Sequence, residues 1–153
     1  MKEFPRGTID KVFRQMLMNQ SSSVERSTAS AKKRLHTALQ EFAKEAAEKI
    51  KKIIEVQKMI TAKKAAVDLA FDMNPKLTPL SEDNKDIRLQ KSIVKRIIKD
   101  QGVSRVSDEA AVLFGRYVLA FAHKIVSSAL EVAAHSGRKT IKEGDIEFAL
   151  KHI

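Results

Sequence analysis

Asp108-Glu-Ala-Ala-Val-Leu-Phe-Gly-Arg-Tyr-Val-Leu-Ala-Phe-Ala-His-Lys-Ile-Val-Ser-Ser-Ala-Leu-Glu-Val-Ala-Ala-His135 decides the fold class. Phe114, Val118, Phe121, Ile125, Ala129 and Val132 follow one another in steps of four, three, four, four and three residues. That spacing lines up one face of an α-helix. Upstream, Ile93-Val-Lys-Arg-Ile-Ile-Lys-Asp100 reads as a short helix stopped by Gly102, a residue suited to the left-handed cap. Ser104 to Asp108 read as a loop. Downstream, Gly137 ends the long helix, and Thr140-Ile-Lys-Glu143 reads as a capping box that opens a last short helix carrying Ile146, Ala149 and Leu150.

The first half repeats the design. Pro5 stands where a helix can begin, and Ile9, Val12, Phe13 and Met16 form a short amphipathic face. The Ser-rich stretch from Asn19 to Ser30 reads as a loop. A long helix is expected from about Ala29 to Val56, with a stripe of Leu35, Leu39, Phe42, Ala46, Ile50 and Ile53 in the same steps. Thr61 is expected to cap a third helix containing Ala65, Ala66, Leu69 and Ala70. Residues 74–89, with Pro75, Pro79 and an acidic polar patch, read as a linker. The expectation is all-α: short, long, short helices written twice, in units 1–73 and 90–153.

Each long helix would extend about 40 Å at ~1.5 Å per residue. Two short helices cannot cover an apolar stripe of that length, so the halves are expected to pack on one another, long helix across long helix. Fusion in one chain makes that pairing intramolecular.

The 153 residues carry a net charge of +10, which attracts polyanions. Residues 1–80 hold 16 basic and 9 acidic side chains, a net +7, against +3 for the remainder. The absence of Cys excludes disulfides and thiolate metal sites. No signal peptide is evident, and no apolar run is read as approaching the ~18 residues of a membrane span. A soluble, cytoplasmic protein without cofactor or metal is expected. His36, His123, His135 and His152 make no ligand spacing, and neither a phosphate-binding Gly loop nor a nucleophile motif occurs. The methionines and Tyr117 read as core filler, and an enzyme is not expected.

Several stretches of the second half together resemble the archaeal histones: Val94-Lys-Arg-Ile-Ile-Lys-Asp100, Gly102, Arg105-Val-Ser-Asp-Glu-Ala110, His135, Gly137-Arg-Lys-Thr-Ile-Lys142 and Asp145-Ile-Glu147. The first half resembles the family through its pattern, Phe4-Pro5 and Ile9-Asp-Lys-Val-Phe-Arg-Gln15. The whole looks like a tandem histone doublet. The resemblance implies two histone folds joined head to tail as a handshake, and an architectural, nucleoid-associated protein that wraps double-stranded DNA with little sequence preference.

It also implies roles. Arg96 and Lys99 would face the DNA backbone, and Arg105 the minor groove, where a planar, weakly hydrated guanidinium fits. Lys139, Thr140 and Lys142, at a helix N-terminus, would hold a phosphate. In the first half Lys11 and Arg14 fall where Arg96 and Lys99 fall, Arg26 would replace Arg105, and Lys58 is matched to Lys139. Arg138 and Asp145 would form a structural clamp whose first-half positions, near Gln57 and Lys64, lack both partners. Lys32 to Arg34 and Lys49 to Lys52 read as solvated charges on the long helix. Val132, His135, Asp145 and Phe148 occupy the family's four-helix-bundle interface between dimers, and a His–Asp contact there would respond to protonation. First-half positions near Ile53, Val56 and Lys64 lack the His and Asp, so a homodimer of doublets through the second halves is expected. With no basic tail before the first helix, tail-based regulation is not expected. Two other classes remain: a histone-fold heterodimerisation subunit of a transcription regulator, and a membrane-surface helical protein, for which the aromatic anchors are missing.

Overall fold

The computed structural model describes residues 4–18, 24–72, 77–80 and 88–152 of the chain. Residues 19–23 of the Ser-rich loop, residue 73, and 74–76 and 81–87 of the expected linker lie outside that set. The elements in order are α1 (Arg6–Met18), β1 (Arg26–Ser27), α2 (Ala29–Val56), β2 (Thr61–Ala62), α3 (Lys64–Asp72), α4 (Lys91–Asp100), β3 (Arg105–Val106), α5 (Asp108–His135), β4 (Thr140–Ile141) and α6 (Glu143–Lys151). The six helices form two short–long–short triads that contact each other, as a handshake pairing requires.

From β1 to α3 the first half leads the second by a constant 79 positions: Arg26 to Arg105, Ala29 to Asp108, Thr61 to Thr140, Lys64 to Glu143. The first helices obey a different offset. Ile9, Val12 and Phe13 are buried in α1 as Val94, Ile97 and Ile98 are in α4, 85 positions on. Six extra residues therefore separate α1 from β1.

Caps explain where the long helices start. Thr28 Oγ1 accepts the Ala31 amide at 3.0 Å, and Ser107 Oγ accepts the Ala110 amide at 3.1 Å. The ends match as well. The Met59 amide donates to the Ile54 carbonyl at 2.8 Å, and the Arg138 amide to the Ala133 carbonyl at 3.0 Å. Gly137 takes φ +68° at this turn, and Lys58, its counterpart, takes φ +56° without being glycine.

The chain divides into two compact units that cut across the sequence repeat. One comprises residues 5–39 and 121–152. Here β1 runs parallel to β4, with Arg26 opposite Thr140 and Ser27 opposite Ile141. Arg34 of α2 pairs with Glu147 of α6, and Lys32 reaches Asp10 at 3.1 Å. Arg138 grips Asp145 with two hydrogen bonds, of 2.7 and 2.6 Å. The Asp145 carboxylate also accepts the Lys142 amide at 2.8 Å. Burial alone would raise the Asp145 pKa; the Arg138 hydrogen bonds, the Lys142 amide and both cations outweigh it, and the group lies below the usual carboxylate range.

The other unit comprises Phe4 and residues 40–120. There β2 runs parallel to β3, with Thr61 opposite Arg105 and Ala62 opposite Val106. Phe71 of α3 sits among aromatic rings. It stacks on Tyr117 at 4.3 Å, meets Phe114 edge-on at 5.4 Å, and tilts against Phe42 at 5.6 Å. The Tyr117 hydroxyl donates to Asp68 at 2.8 Å. Burial, then the Asp68 contact, push the Tyr117 pKa up to about 12. Asp68 and Glu147 are counterparts by the 79-residue offset, so each third helix is latched to the other half's long helix by one acidic side chain. The Leu80 amide donates to the Arg116 carbonyl at 3.2 Å, and the Arg116 guanidinium returns a bond to the Leu80 carbonyl.

Several sequence expectations change. Thr61 and Thr140 lie in the paired strands, not at helix caps, because the Thr28 and Ser107 amides donate to the Ile141 and Ala62 carbonyls. The last helices start later, at Lys64 and Glu143, and Asp145, not Glu143, accepts the capping amide. On α3 the buried face is Ala66, Val67, Ala70 and Phe71; Ala65 and Leu69 point outward. Met18 and Met59 are exposed and fill no core. Finally, α5 is long and apolar enough to cross a membrane by length and composition; two-thirds of that stretch is buried here, as in a core helix.

Phe71→Ala is expected to destabilise the fold by about 3–5 kcal/mol, read as a lowered denaturation midpoint. Tyr117 is the single tyrosine, so its ultraviolet titration is unambiguous. Its raised pKa contributes stability that is complete below the unfolded value of about 10 and is lost as the pH climbs through about 12. Asp68→Asn should move the tyrosinate absorbance to lower pH. Asp145 acts in the opposite direction: its contribution is present above the unfolded carboxylate value and disappears as pH falls through the lowered one. Asp145→Asn should therefore flatten the acid limb of the stability profile.

Candidate nucleic-acid interface

The two loop bridges gather most of the basic residues singled out in the sequence. On the β1–β4 bridge, Arg26 is exposed and lies opposite Thr140, with exposed Lys139 and Lys142 on either side of β4. The Glu25 and Arg26 amides both donate to the Lys139 carbonyl, at 2.8 and 3.1 Å, which fixes this loop against its partner. The Arg138–Asp145 clamp holds the same turn from beneath; Asp145 is 2% exposed. The result is a cluster of three cations and a hydroxyl on rigid backbone, suited to an anionic ligand.

The β2–β3 bridge has the same backbone and a different surface. Arg105 is exposed opposite Thr61, matching Arg26 opposite Thr140. The constant offset places Lys63 at the position of Lys142, and Ile60, not Lys58, at that of Lys139. Lys58 occupies the place of Gly137. The clamp positions hold Met59 and Ala66 in place of Arg138 and Asp145, not Gln57 and Lys64. Both members of that ion pair are replaced together, so no charge is left without its partner. Sequence reading missed Thr61, Lys63 and Ile60. A count forwards from α2 with no gap would have found them.

Lys11 and Arg14 on α1, and Arg96 and Lys99 on α4, are all exposed, on the faces opposite the buried Ile9, Val12 and Phe13 and Val94, Ile97 and Ile98. At the expected bundle interface, Val132 is half-buried, and His135 and Phe148 are exposed. Phe148 stacks on His152 at 4.1 Å. Asp145, placed in the same set, has both carboxylate oxygens engaged within its own chain. The counterparts in the first half are Ile53, Val56, Ala66 and Leu69, of which Val56 is 83% exposed. Among the described residues no group of three or more His, Cys, Asp or Glu side chains could hold a metal ion.

Comparison with known proteins accords with this geometry. Residues 87–150 match a family described as histone-like transcription factor (CBF/NF-Y) and archaeal histone. The chain is 38% identical over 58 residues to one subunit of the archaeal histone HAN1 from Thermococcus zilligii, a match spanning 87% of that protein and 38% of this one. Its fold is similar to the crystal structure of the histone from Methanopyrus kandleri, with a TM-score of 0.79 and 24% identity, over 96% of this chain and 93% of that one. The fold match covers both halves, whereas the sequence match to the family lies in the second. With two helix triads in one chain, and exposed arginines on both loop bridges, the protein belongs to the archaeal histone family and is an architectural, DNA-packaging histone-fold protein of the tandem-doublet kind.

Proposed function

We propose that the chain, as two histone folds (1–73 and 90–153) joined by the segment 74–89, wraps and compacts duplex DNA with little sequence preference, on the chromosome in the cytoplasm. The observation that carries this reading is the repeated pairing of an exposed arginine with a half-buried threonine across each parallel loop bridge, Arg26 with Thr140 and Arg105 with Thr61. An arginine in this setting suits the narrow, electronegative minor groove, and the neighbouring hydroxyls and lysines suit phosphates. Lys139, Thr140 and Lys142 hold one backbone segment, and Lys11, Arg14, Arg96 and Lys99 meet the backbone from the first helix of each half. Lys58, displaced from the Lys139 position, contributes charge to its loop without being its counterpart. None of these contacts selects a base, so affinity comes from phosphate neutralisation.

Two chains pair through their second halves, with Val132, His135 and Phe148 at the contact. Asp145 belongs to this set by position and serves within its own chain to hold Arg138. The exposed Phe148 supplies the apolar centre that such an interface needs.

Nuclease digestion of complexes on mixed-sequence duplex, repeated across salt, tests the reading. A discrete protected length is expected, with log affinity falling by about 0.9 per neutralised phosphate for each decade of salt. Arg26→Ala and Arg105→Ala should each weaken binding evenly across sequences, with no change in fold. Protection confined to one sequence would instead favour a transcription-regulator module. Cross-linking should stop at two chains; a long ladder would contradict pairing through the second halves alone.

A further inference from the structure

We infer that the two loop bridges meet the duplex by different chemistry: the β1–β4 bridge by charge, and the β2–β3 bridge by an apolar wedge, Ile60, set beside Arg105 and pressed between base steps in the minor groove. This rests on the reading of the protein as a duplex-DNA binder.

Three observations carry it. First, Ile60 stands where Lys139 stands. The turn before each is closed by the same hydrogen bonds: Gln57 to Ile53 as Ser136 to Val132, Lys58 to Glu55 as Gly137 to Ala134, and Met59 to Ile54 as Arg138 to Ala133. The residue after each, Thr61 or Thr140, is bridged to an exposed arginine. Second, Ile60 is 68% exposed and its neighbour Met59 38%. A β-branched aliphatic side chain left in water on a rigid turn gains free energy from any partner that covers it. Third, the rim around it is cationic. Arg105, Lys58 and Lys63 are exposed, and the ammonium of Lys51 lies against Gly102, three residues before Arg105. An apolar tip within a basic rim matches a polyanion that offers apolar surface between its charges. Duplex DNA does so in the minor groove, where sugars and base edges lie between two phosphate rows. Aliphatic side chains of this size are suited to prise apart base steps there, above all the flexible pyrimidine–purine ones.

The β2–β3 bridge would then neutralise one phosphate fewer than its counterpart and bend the duplex locally. Titration of the full chain into mixed-sequence duplexes carrying 2-aminopurine at TA steps tests this, because the probe brightens when it unstacks. With the unsubstituted protein the fluorescence should rise on binding. Ile60→Ala should bind with the same salt dependence and without the rise. Ile60→Lys should also lose the rise, and should steepen the slope of log affinity against log salt by about 0.9. Ile60 is exposed, so neither variant threatens the core. Binding with no unstacking, or unstacking that persists in both variants, overturns the wedge while leaving the DNA reading intact. So does a fall in the mass of the protein–protein assembly in both variants with the fluorescence unchanged, which would assign Ile60 to a contact between copies. If the unsubstituted chain fails to bind the duplex at all, the wedge falls together with the reading beneath it.

Discussion

A long amphipathic helix has more apolar surface than its own neighbours in sequence can cover. α2 and α5 each have 28 residues, and the flanking helices have nine to thirteen. The free energy of leaving the remainder in water, at roughly 25 cal/mol per Å², drives each triad onto the other. The interleaving of residues from both halves in each compact unit follows from that need. So does the position of the loops: when the third helix of one half packs on the long helix of the other, the loops of the two halves come alongside. Their unpaired backbone groups are then satisfied by a two-residue parallel bridge. The bridges in turn hold the arginines. The binding surface is thus a by-product of how the apolar stripes are buried.

Within this near-symmetry the departures are informative. Asp68 and Glu147 sit at equivalent places, yet one accepts from Tyr117 and the other pairs with Arg34. The counterpart of Arg34 is Leu113, and that of Tyr117 is Ala38. The latch positions on the long helices are thus Arg34 and Ala38 in the first half and Leu113 and Tyr117 in the second, so either half offers the facing acid one polar partner. Around Phe71 the same asymmetry recurs in apolar form, since its counterpart is Leu150 and the aromatic neighbours Phe114 and Tyr117 correspond to Leu35 and Ala38.

Much of the fold was legible in the sequence. The boundaries of both long helices were read correctly, because a stripe sustained over many turns averages out local ambiguity. The short parallel bridges were not, since two residues leave no periodic trace and their partners lie in the other half. For the same reason Thr61 and Thr140 were read as helix caps: both residue types suit that role, and only a distant strand shows that they have another. Arg138 and Asp145 were legible as a pair through family resemblance. The placing of Lys58 at the Lys139 position failed because charge was used to set the register. Backbone conformation sets it instead, with a lysine carrying the left-handed turn that glycine provides in the other half. On α3, the apolar residues singled out in the sequence include Leu69, which is exposed, and omit Phe71, which is buried; a helix of nine residues admits two apolar faces, and only packing chooses between them.

The interleaving also sets an order of events at the ribosome. The unit built from residues 40–120 holds nearly all of its chain once residue 120 has emerged. The unit that contains α1 must wait for β4, whose Thr140 pairs with Arg26 from 114 positions further along the sequence. At synthesis rates of about 5–20 residues per second, the N-terminal helix and the start of α2 spend seconds without their partners, their apolar faces open to chaperones or to other nascent chains. Separate single-fold chains would meet at a rate set by their concentration. Here the waiting segment is tethered to what it needs, and its completion is a first-order event timed by translation.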